Sequence, residues 1–169
     1  TTTDIFKSYW RSFSIMWDIK KKGMNIYHGL SNEIPFVKNP ECKFIVTIHD
    51  LMYEVFPHDF SIIDRNIYRI KTVNSCKNAD LIHTVSQSTK NDIIKYLGID
   101  EKKIKVIYQS CDDIFKKQIT EIELNNVKKK YKLPDNFMLC LGSANKRKNI
   151  DGILKAVKIL SQNQRIPLV

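Results

Sequence analysis

Short apolar runs alternate along the chain with longer stretches that have helical spacing. The runs predict five strands, at residues 25–28, 43–48, 80–85, 104–108 and 137–141. The run at 43–48 is apolar at nearly every position, which is typical of a parallel strand covered on both faces. Strands that alternate with helices predict an α/β fold, and the first four strands predict a Rossmann-like, doubly wound parallel sheet.

The helices between these strands carry local start and stop signals. Ser61 is positioned to cap a helix, and either Ser86 or Ser88 starts the next one. Gly98 lies just past the end of that second helix, where a left-handed residue is common. The apolar face predicted for the first helix recurs at helical spacing and holds Ile63, Ile67, Ile70 and Val73.

The character of the chain changes after residue 112. Thr120 and Glu123 have the spacing of a capping box, which opens a basic helix that ends near Tyr131. The strand at 137–141 then begins a second β-α unit, whose helix has Asn149 as its expected cap. We therefore predict three parts: an incomplete N-terminal Rossmann-like domain at 1–115, a crossover linker at 116–135, and the start of a C-terminal domain at 136–169.

The net charge of +10 on 169 residues is concentrated in the last third of the chain. Residues 116–169 hold 12 basic and 4 acidic side chains, in two local clusters at 128–132 and 146–148. This distribution is a poor match to a whole-protein field for nucleic acid. The first cluster is typical of a solvated helix face.

The four cysteines lie far apart, and none forms a C-x-x-C pair. Cys140 lies in the apolar run Met138-Leu139-Cys140-Leu141. We predict buried, reduced thiols and a cytoplasmic protein. No apolar run is long enough to span a bilayer, and the first residues do not have the pattern of a secretory signal.

The segment 142–149 carries the clearest chemical signal in the sequence. It places a glycine turn and three consecutive cations between a strand and a helix N-terminus. Helix N-termini present unpaired N–H groups to anions, so the segment is either a phosphate site or a merely solvated basic loop. It matches neither the P-loop pattern nor G-x-G-x-x-G.

His49 stands at the carboxyl end of the strand at 43–48, where side chains of parallel sheets meet ligands. Asp50 would point to the opposite side of the chain, so a His–Asp dyad is not expected. His49 is therefore either a site residue or a structural histidine. His28 and Ser86 also follow or end strands, whereas His83 is expected within the sheet core or at its edge.

Three stretches of the chain stand out together: Val46-Thr47-Ile48-His49-Asp50-Leu51, the segment 78–90, and Leu139-Cys140-Leu141-Gly142 continued through Arg147-Lys148-Asn149. They resemble the retaining glycosyltransferases of family four, also called group 1, which have the GT-B fold of two facing Rossmann-like domains. A fourth stretch, Lys103-Ile104-Lys105-Val106-Ile107-Tyr108-Gln109, lies between the second and the third, where that family has its final N-domain strand. The order and spacing match over nearly the whole chain.

The resemblance implies a role for each matching residue. His49 would be the catalytic-site histidine that approaches the donor sugar. Arg147 and Lys148, next to Gly142, would bind the donor diphosphate and stabilise its charge as it leaves. His28 and Ser86 would line the cleft. No metal and no cofactor are expected.

The same resemblance implies transfer of a hexose from a nucleotide-diphosphate sugar to a cell-envelope or exopolysaccharide acceptor, with retention at the anomeric carbon. The expected partners are this donor, a saccharide or lipid-linked saccharide acceptor, and an anionic membrane contacted from the cytoplasmic side; nucleic acid is not expected. The family's glycine-rich loop and acidic motif would lie outside 1–169, so the chain alone is expected to be inactive. The alternative is a noncatalytic Rossmann-like binding module whose basic surface binds anions or nucleic acid, which a steep salt dependence would reveal.

Overall fold

The computed structural model describes Lys7 and residues 9–142, 148–160 and 166–169. They fold as two compact units, Thr1–Ser110 and Cys111–Val169. In the part of the chain that is described, no helix combines the length and apolar character needed to cross a membrane.

The first unit is built on a parallel sheet, which confirms the predicted α/β fold. Its four strands lie in the order β1-β2-β3-β4. The order advances in one direction, as in one half of a doubly wound sheet, and does not reverse among the described residues. The strands are β1 (Ile26–Gly29), β2 (Lys43–Ile48), β3 (Leu81–Thr84) and β4 (Ile104–Val106).

The helices of the first unit begin and end close to the predicted signals. Ser61 Oγ accepts a hydrogen bond from Asp64 N, and Ser86, rather than Ser88, caps the next helix. Gly98 ends that helix at φ 63°, as predicted. The α-helices are α1 (Ile15–Lys21), α2 (Met52–Val55), α3 (Ile62–Asn78) and α4 (Gln87–Leu97); a π-helical turn at Trp10–Ser14 precedes α1, and 3₁₀ turns lie at Pro57–Asp59 and Glu101–Lys103.

The two faces of the sheet differ in cover. One face carries the buried core side chains, although Tyr27 and Val106 at its two edges are half-buried. Its buried side chains are Phe44, Val46, Ile48, Ile82 and Ile104. On the other face, Ile45 and Leu81 are half-buried and Ile26 is exposed. Among the described residues, β2 is thus fully covered on one face, where the sequence predicted cover on both. The second face instead carries a row of polar side chains, described below.

Helix α3 turns its predicted apolar face away from the core. Ile63 is 72% exposed, and Ile67 and Ile70 are exposed as well. The opposite side of the helix holds Arg65 and Arg69, which both pair with the carboxylate of Glu54. Because Glu54 is almost fully buried, its charge needs these partners, and they fix the rotation of α3. The prediction that the isoleucines pack inward is therefore wrong for this helix.

Asp80 joins β2 to the segment that enters β3. Its Oδ2 accepts a hydrogen bond from Phe44 N at 2.8 Å, and Lys43 Nζ lies 3.4 Å from Oδ1. The hydrogen bond from Phe44 N, with Lys38 and Lys43 nearby, holds the pKa of Asp80 below its ordinary value. The carboxylate thus fixes the register at the start of both strands.

The cysteines do not all follow the prediction of burial. Cys42 and Cys76 are buried, and burial raises the pKa of Cys76 to about 12. Cys140 is half-buried and Cys111 is exposed, so those two thiols depart from the prediction. Cys111 is not covered, because the segment from 111 to 127 is exposed at every residue.

The second unit contains α5 (Glu121–Tyr131) and α6 (Ile150–Ile159), after a 3₁₀ turn at Asp113–Lys116. Helix α5 has the predicted capping box: Thr120 Oγ1 accepts from Glu123 N, and Glu123 Oε2 accepts from Thr120 N. The strand predicted at 137–141 is reduced to one parallel bridge between Met138 and Leu168, apart from the four-stranded sheet. Three backbone hydrogen bonds join the two segments there: Met138 N to Pro167 O, Val169 N to Met138 O and Cys140 N to Val169 O.

Candidate functional site

The loops that follow β1 and β2 meet at the carboxyl edge of the sheet, where open α/β sheets bind their ligands. His49 comes one residue after β2 ends, and Asn32 lies in the loop after β1. Asn32 adopts a left-handed backbone with φ 58°, a conformation that asparagine tolerates better than most residues. Its N–H donates to Thr47 O at 2.9 Å, which binds this loop to β2.

His49 is held by three hydrogen bonds. Its N–H donates to Asn32 Oδ1 at 2.9 Å, and its carbonyl oxygen accepts from Thr89 Oγ1 at 2.9 Å. The ring Nε2 lies 2.9 Å from Leu30 O. Because a carbonyl oxygen can only accept, Nε2 carries a proton, and when the ring is neutral Nδ1 is the hydrogen-bond acceptor. His49 therefore presents an oriented acceptor at the edge of the sheet.

Ser86 contributes to this arrangement through helix α4. Thr89 Oγ1 gives its only proton to His49 O, so at 2.9 Å from Ser86 Oγ it must accept a proton from Ser86. Ser86 Oγ in turn accepts from Thr89 N at 3.1 Å, as the cap of α4. Ser86 thus acts on His49 by fixing the rotamer of Thr89.

A second chain of hydrogen bonds crosses the less covered face of the sheet. His28 Nε2 lies 2.8 Å from Thr47 Oγ1, and Thr47 Oγ1 lies 3.0 Å from His83 Nδ1. His83 Nε2 is 2.9 Å from Ile107 O, which can only accept. When both rings are neutral, that carbonyl fixes the direction of every hydrogen bond in the chain. His83 Nε2–H donates to Ile107 O, Thr47 Oγ1 donates to His83 Nδ1, and His28 Nε2–H donates to Thr47 Oγ1.

His28 and His83 have surroundings that the sequence did not specify. His28 is exposed on β1, and His83 is half-buried on β3, on the same face of the sheet. His83 was expected in the core or at its edge, and the structure places it on the less covered face instead. Thr47 and His83 are register partners across two parallel strands, which brings their side chains together.

Lys148 and Gly142 lie together in the second unit. A Cβ placed on Gly142 would be 3.8 Å from both Cγ and Cδ of Lys148, so the apolar stem of the lysine runs beside the glycine. Lys148 is exposed and precedes the first turn of α6 by two residues. Arg147 lies outside the described residues. The predicted cation and the predicted glycine are thus neighbours near the start of a helix, and their role in binding phosphate stays a prediction.

Asn149 departs from the predicted cap. It stands at the N-cap position with φ 52°, but its side chain makes no capping hydrogen bond. Its amide instead lies over Gly152, where a Cβ would come within 2.7 Å of three atoms of that side chain. Gly152 is therefore needed for the close approach of Asn149, and the first N–H groups of α6 are not capped by that amide.

Three residues in the first unit were missed as candidates by reasoning from the sequence: Asn32, Thr47 and Thr89. Asn32 follows the Gly29-Leu30-Ser31 turn, and Thr47 is two residues before His49. Thr89 is three residues after the Ser86 cap. Only the spacing of Ser86 and Thr89 is a local signal that can be recognised in the sequence. Among the described residues, no group of three His, Cys, Asp or Glu side chains converges as metal ligands would.

Residues 6–113 match the family model described as Glycosyltransferase Family 4. The chain belongs to glycosyltransferase family 4. The matched range contains His28, His49 and Ser86, but Gly142, Arg147 and Lys148 lie outside it.

The curated relatives that this family 4 chain matches are named as mannosyltransferases, two of them as O-antigen chain mannosyltransferases. The O-antigen chain mannosyltransferase RfbU of Salmonella typhimurium is 26% identical over 162 residues, which cover 96% of this chain and 40% of that protein. O-antigen chain mannosyltransferase B of Escherichia coli is 27% identical and covers 90% of this chain and 40% of its own length. The serotype-specific mannosyltransferase WbdA of Escherichia coli is 32% identical over 96 residues, 55% of this chain and 12% of WbdA.

The chain thus spans about two fifths of the length of RfbU and mannosyltransferase B. A crystal structure of a glycosyltransferase from Rickettsia africae is 19% identical, with a TM-score of 0.43 over 74% of this chain and 32% of that one.

Proposed function

We propose that this chain is part of a retaining glycosyltransferase that transfers a hexose from a nucleotide-diphosphate sugar to a cell-envelope or exopolysaccharide acceptor. The observation that carries the proposal is His49, fixed at the carboxyl edge of a parallel sheet with its Nδ1 as an acceptor. The names of the relatives favour mannose as the hexose and an O-antigen saccharide as the acceptor.

In this proposal the two units make different contributions. The His49 ring orients a hydroxyl of the donor sugar by accepting its proton in a hydrogen bond, which helps to hold the anomeric carbon in place. Lys148, with Arg147, stabilises the negative charge that grows on the diphosphate as the bond to the anomeric carbon breaks. Neither step uses a metal ion. The protein works in the cytoplasm, with peripheral contact to the membrane.

The experiment uses a longer protein that contains this sequence, supplied with nucleotide-diphosphate mannose and an O-antigen acceptor. We expect release of the nucleoside diphosphate and a product with the donor's anomeric configuration, as measured by proton NMR. His49→Ala should lower kcat/KM, since it removes the oriented acceptor. His58→Ala is the matched control, because His58 is exposed in the turn at Pro57–Asp59.

Two results would contradict the proposal. Inversion at the anomeric carbon would refute retention, and equal losses from His49→Ala and His58→Ala would refute the role of His49. The 169-residue chain alone should show no turnover with any sugar nucleotide. Because the chain spans about two fifths of the length of RfbU, turnover by it alone would contradict the expectation that further parts of the enzyme complete the site.

A further inference from the structure

The helical segment before β1 exposes an aromatic face to solvent. Met16 and Ile19 of α1 are buried in the core and attach the segment to the sheet. The other side of the segment faces solvent, since Trp17 is 79% exposed. Because Met16 and Ile19 already anchor the helix, the aromatic side chains are not the face that packs on the core. The exposed aromatic residues are Tyr9, Trp10, Phe13 and Trp17.

Three of these side chains form one wall of an open cleft of about 460 Å³, which we call the aromatic cleft. The opposite wall is the segment 37–40, which precedes β2. The ring of Phe13 stacks on Phe36 at 5.4 Å between centroids and lies 5.3 Å from the ring of Tyr9. The residues that line the cleft are Tyr9, Phe13, Ser14, Met16, Trp17, Lys20, Val37, Lys38, Asn39 and Pro40.

The charge around the aromatic cleft is positive. Two lysines line it, and none of the described residues in the lining carries a carboxylate. Lys38 Nζ also lies 3.9 Å from Asp80, a distance at which the ion pair is weak. Two more cations, Lys21 and Lys22, follow Lys20 at the end of α1, while Asp18 is the one acidic residue among the described residues from Lys7 to Lys22.

This combination restricts the chemistry of the partner. Tryptophan and tyrosine favour the boundary between water and an apolar phase, because one part of each ring system is apolar and another can form a hydrogen bond. Lysines beside such rings attract phosphate groups. A neutral saccharide would instead require carboxylates and amides to bind its hydroxyls, and among the described lining residues only Asn39 has such a side chain.

We propose that the aromatic cleft and Lys20–Lys22 form a docking surface for an anionic phospholipid bilayer. Trp17, Phe13 and Val37 enter the boundary between headgroups and acyl chains, and the lysines lie among the lipid phosphates. The contact is peripheral, as for amphipathic helices that lie in the membrane plane. This proposal names the surface for the membrane contact included above, but it rests on the aromatic cleft and not on the transfer reaction.

The experiment uses the fact that the chain has two tryptophans, Trp10 and Trp17, both in this segment. A Trp10→Phe variant leaves Trp17 as the reporter. It is mixed with vesicles of phosphatidylcholine alone, or with about 30 mol% phosphatidylglycerol added to supply negative charge. We expect blue-shifted emission and quenching by brominated lipid only with the anionic vesicles, and a loss of binding as salt rises.

Two variants test the residues, with sedimentation on the anionic vesicles as the readout. Lys20→Ala with Lys21→Ala should lower the partition coefficient about fivefold for each lysine. Trp17→Ala should lower it about tenfold, and because Trp17 is so exposed this variant should fold normally. Lys129→Ala and Phe115→Ala are the matched controls, since both residues are exposed in the second unit and should leave partition unchanged.

Several results would overturn the proposal. Equal binding to neutral vesicles would remove the role of the lysines, and unchanged binding of Trp17→Ala would remove the role of the cleft. Emission that is already blue-shifted without vesicles in a longer protein would show that another part of that protein covers the cleft. A Trp17 response to a mannose oligosaccharide without vesicles, or to protein concentration alone, would assign the cleft to a sugar or to a second copy.

Discussion

Asn32 offers the sharpest test of how the candidate site is assembled. Asn32→Ala removes the acceptor for His49 N–H, which lies 2.9 Å from Oδ1, and keeps a side chain at φ 58°. An unpaired, partly buried N–H costs about 1–1.5 kcal/mol. A left-handed alanine costs about 1 kcal/mol relative to asparagine. The two effects together predict a loss of about 2 kcal/mol in the free energy of unfolding.

Two further substitutions separate these effects. Asn32→Gly relieves the backbone strain but not the missing acceptor, so we expect a loss of about 1 kcal/mol. Asn32→Asp keeps an oxygen in place and should stay within about 0.5 kcal/mol of the parent. Asn91→Ala is the control, because Asn91 is exposed on α4 and the substitution raises helix propensity.

The assay is urea denaturation followed by tryptophan emission, since both tryptophans lie in the same unit as Asn32. Hydrogen exchange of the His49 amide supplies a local readout, and it should be faster in the alanine and glycine variants only. If Asn32→Asp loses as much stability as Asn32→Ala, the acceptor is not what matters. If Asn32→Ala behaves like the parent, the reasoning about both the bond and the backbone is wrong.

Three other predictions follow from the described contacts. Lys148→Ala in a longer, active protein should lower kcat by about 10²–10³-fold and weaken donor binding less, while Lys129→Ala should do little; equal losses would mean that diffuse charge, not a site, is responsible. Asp80→Asn should lower the free energy of unfolding near pH 7, because the lowered pKa of Asp80 means that folding favours its charged form. In urea titrations, the difference in unfolding free energy between parent and variant should shrink as the pH falls from the ordinary carboxyl pKa through the pKa of the folded state. A difference that does not change with pH would contradict this. Lys132→Gly should raise the free energy of unfolding of the second unit by about 0.5–1 kcal/mol, since Lys132 ends α5 with a left-handed backbone at φ 52°, which glycine adopts without strain. Circular dichroism melts that show a lower stability for the variant would refute this account.

The sequence by itself determined the features that depend on near neighbours. The strand at 43–48 was predicted with its observed bounds, and so were the caps at Ser61 and Thr120, the second with its partner Glu123. Gly98 ends α4 as its position indicated. These signals are readable because a capping bond or a left-handed turn is formed within one turn of chain, so residue type and spacing suffice.

Tertiary structure decided the contacts that give the candidate site its geometry. Asn32 reaches His49 across 17 residues, and Thr89 reaches it across 40. Both contacts require the loop after β1, the end of β2 and the start of α4 to meet at one edge of the sheet. The rotation of α3 was decided in the same way: its isoleucines have the spacing of a core face, but buried Glu54 pairs with the arginines on the other side of the helix. A pattern of apolar positions gives the direction of a helix face, and only the charges and strands around it decide which face turns inward.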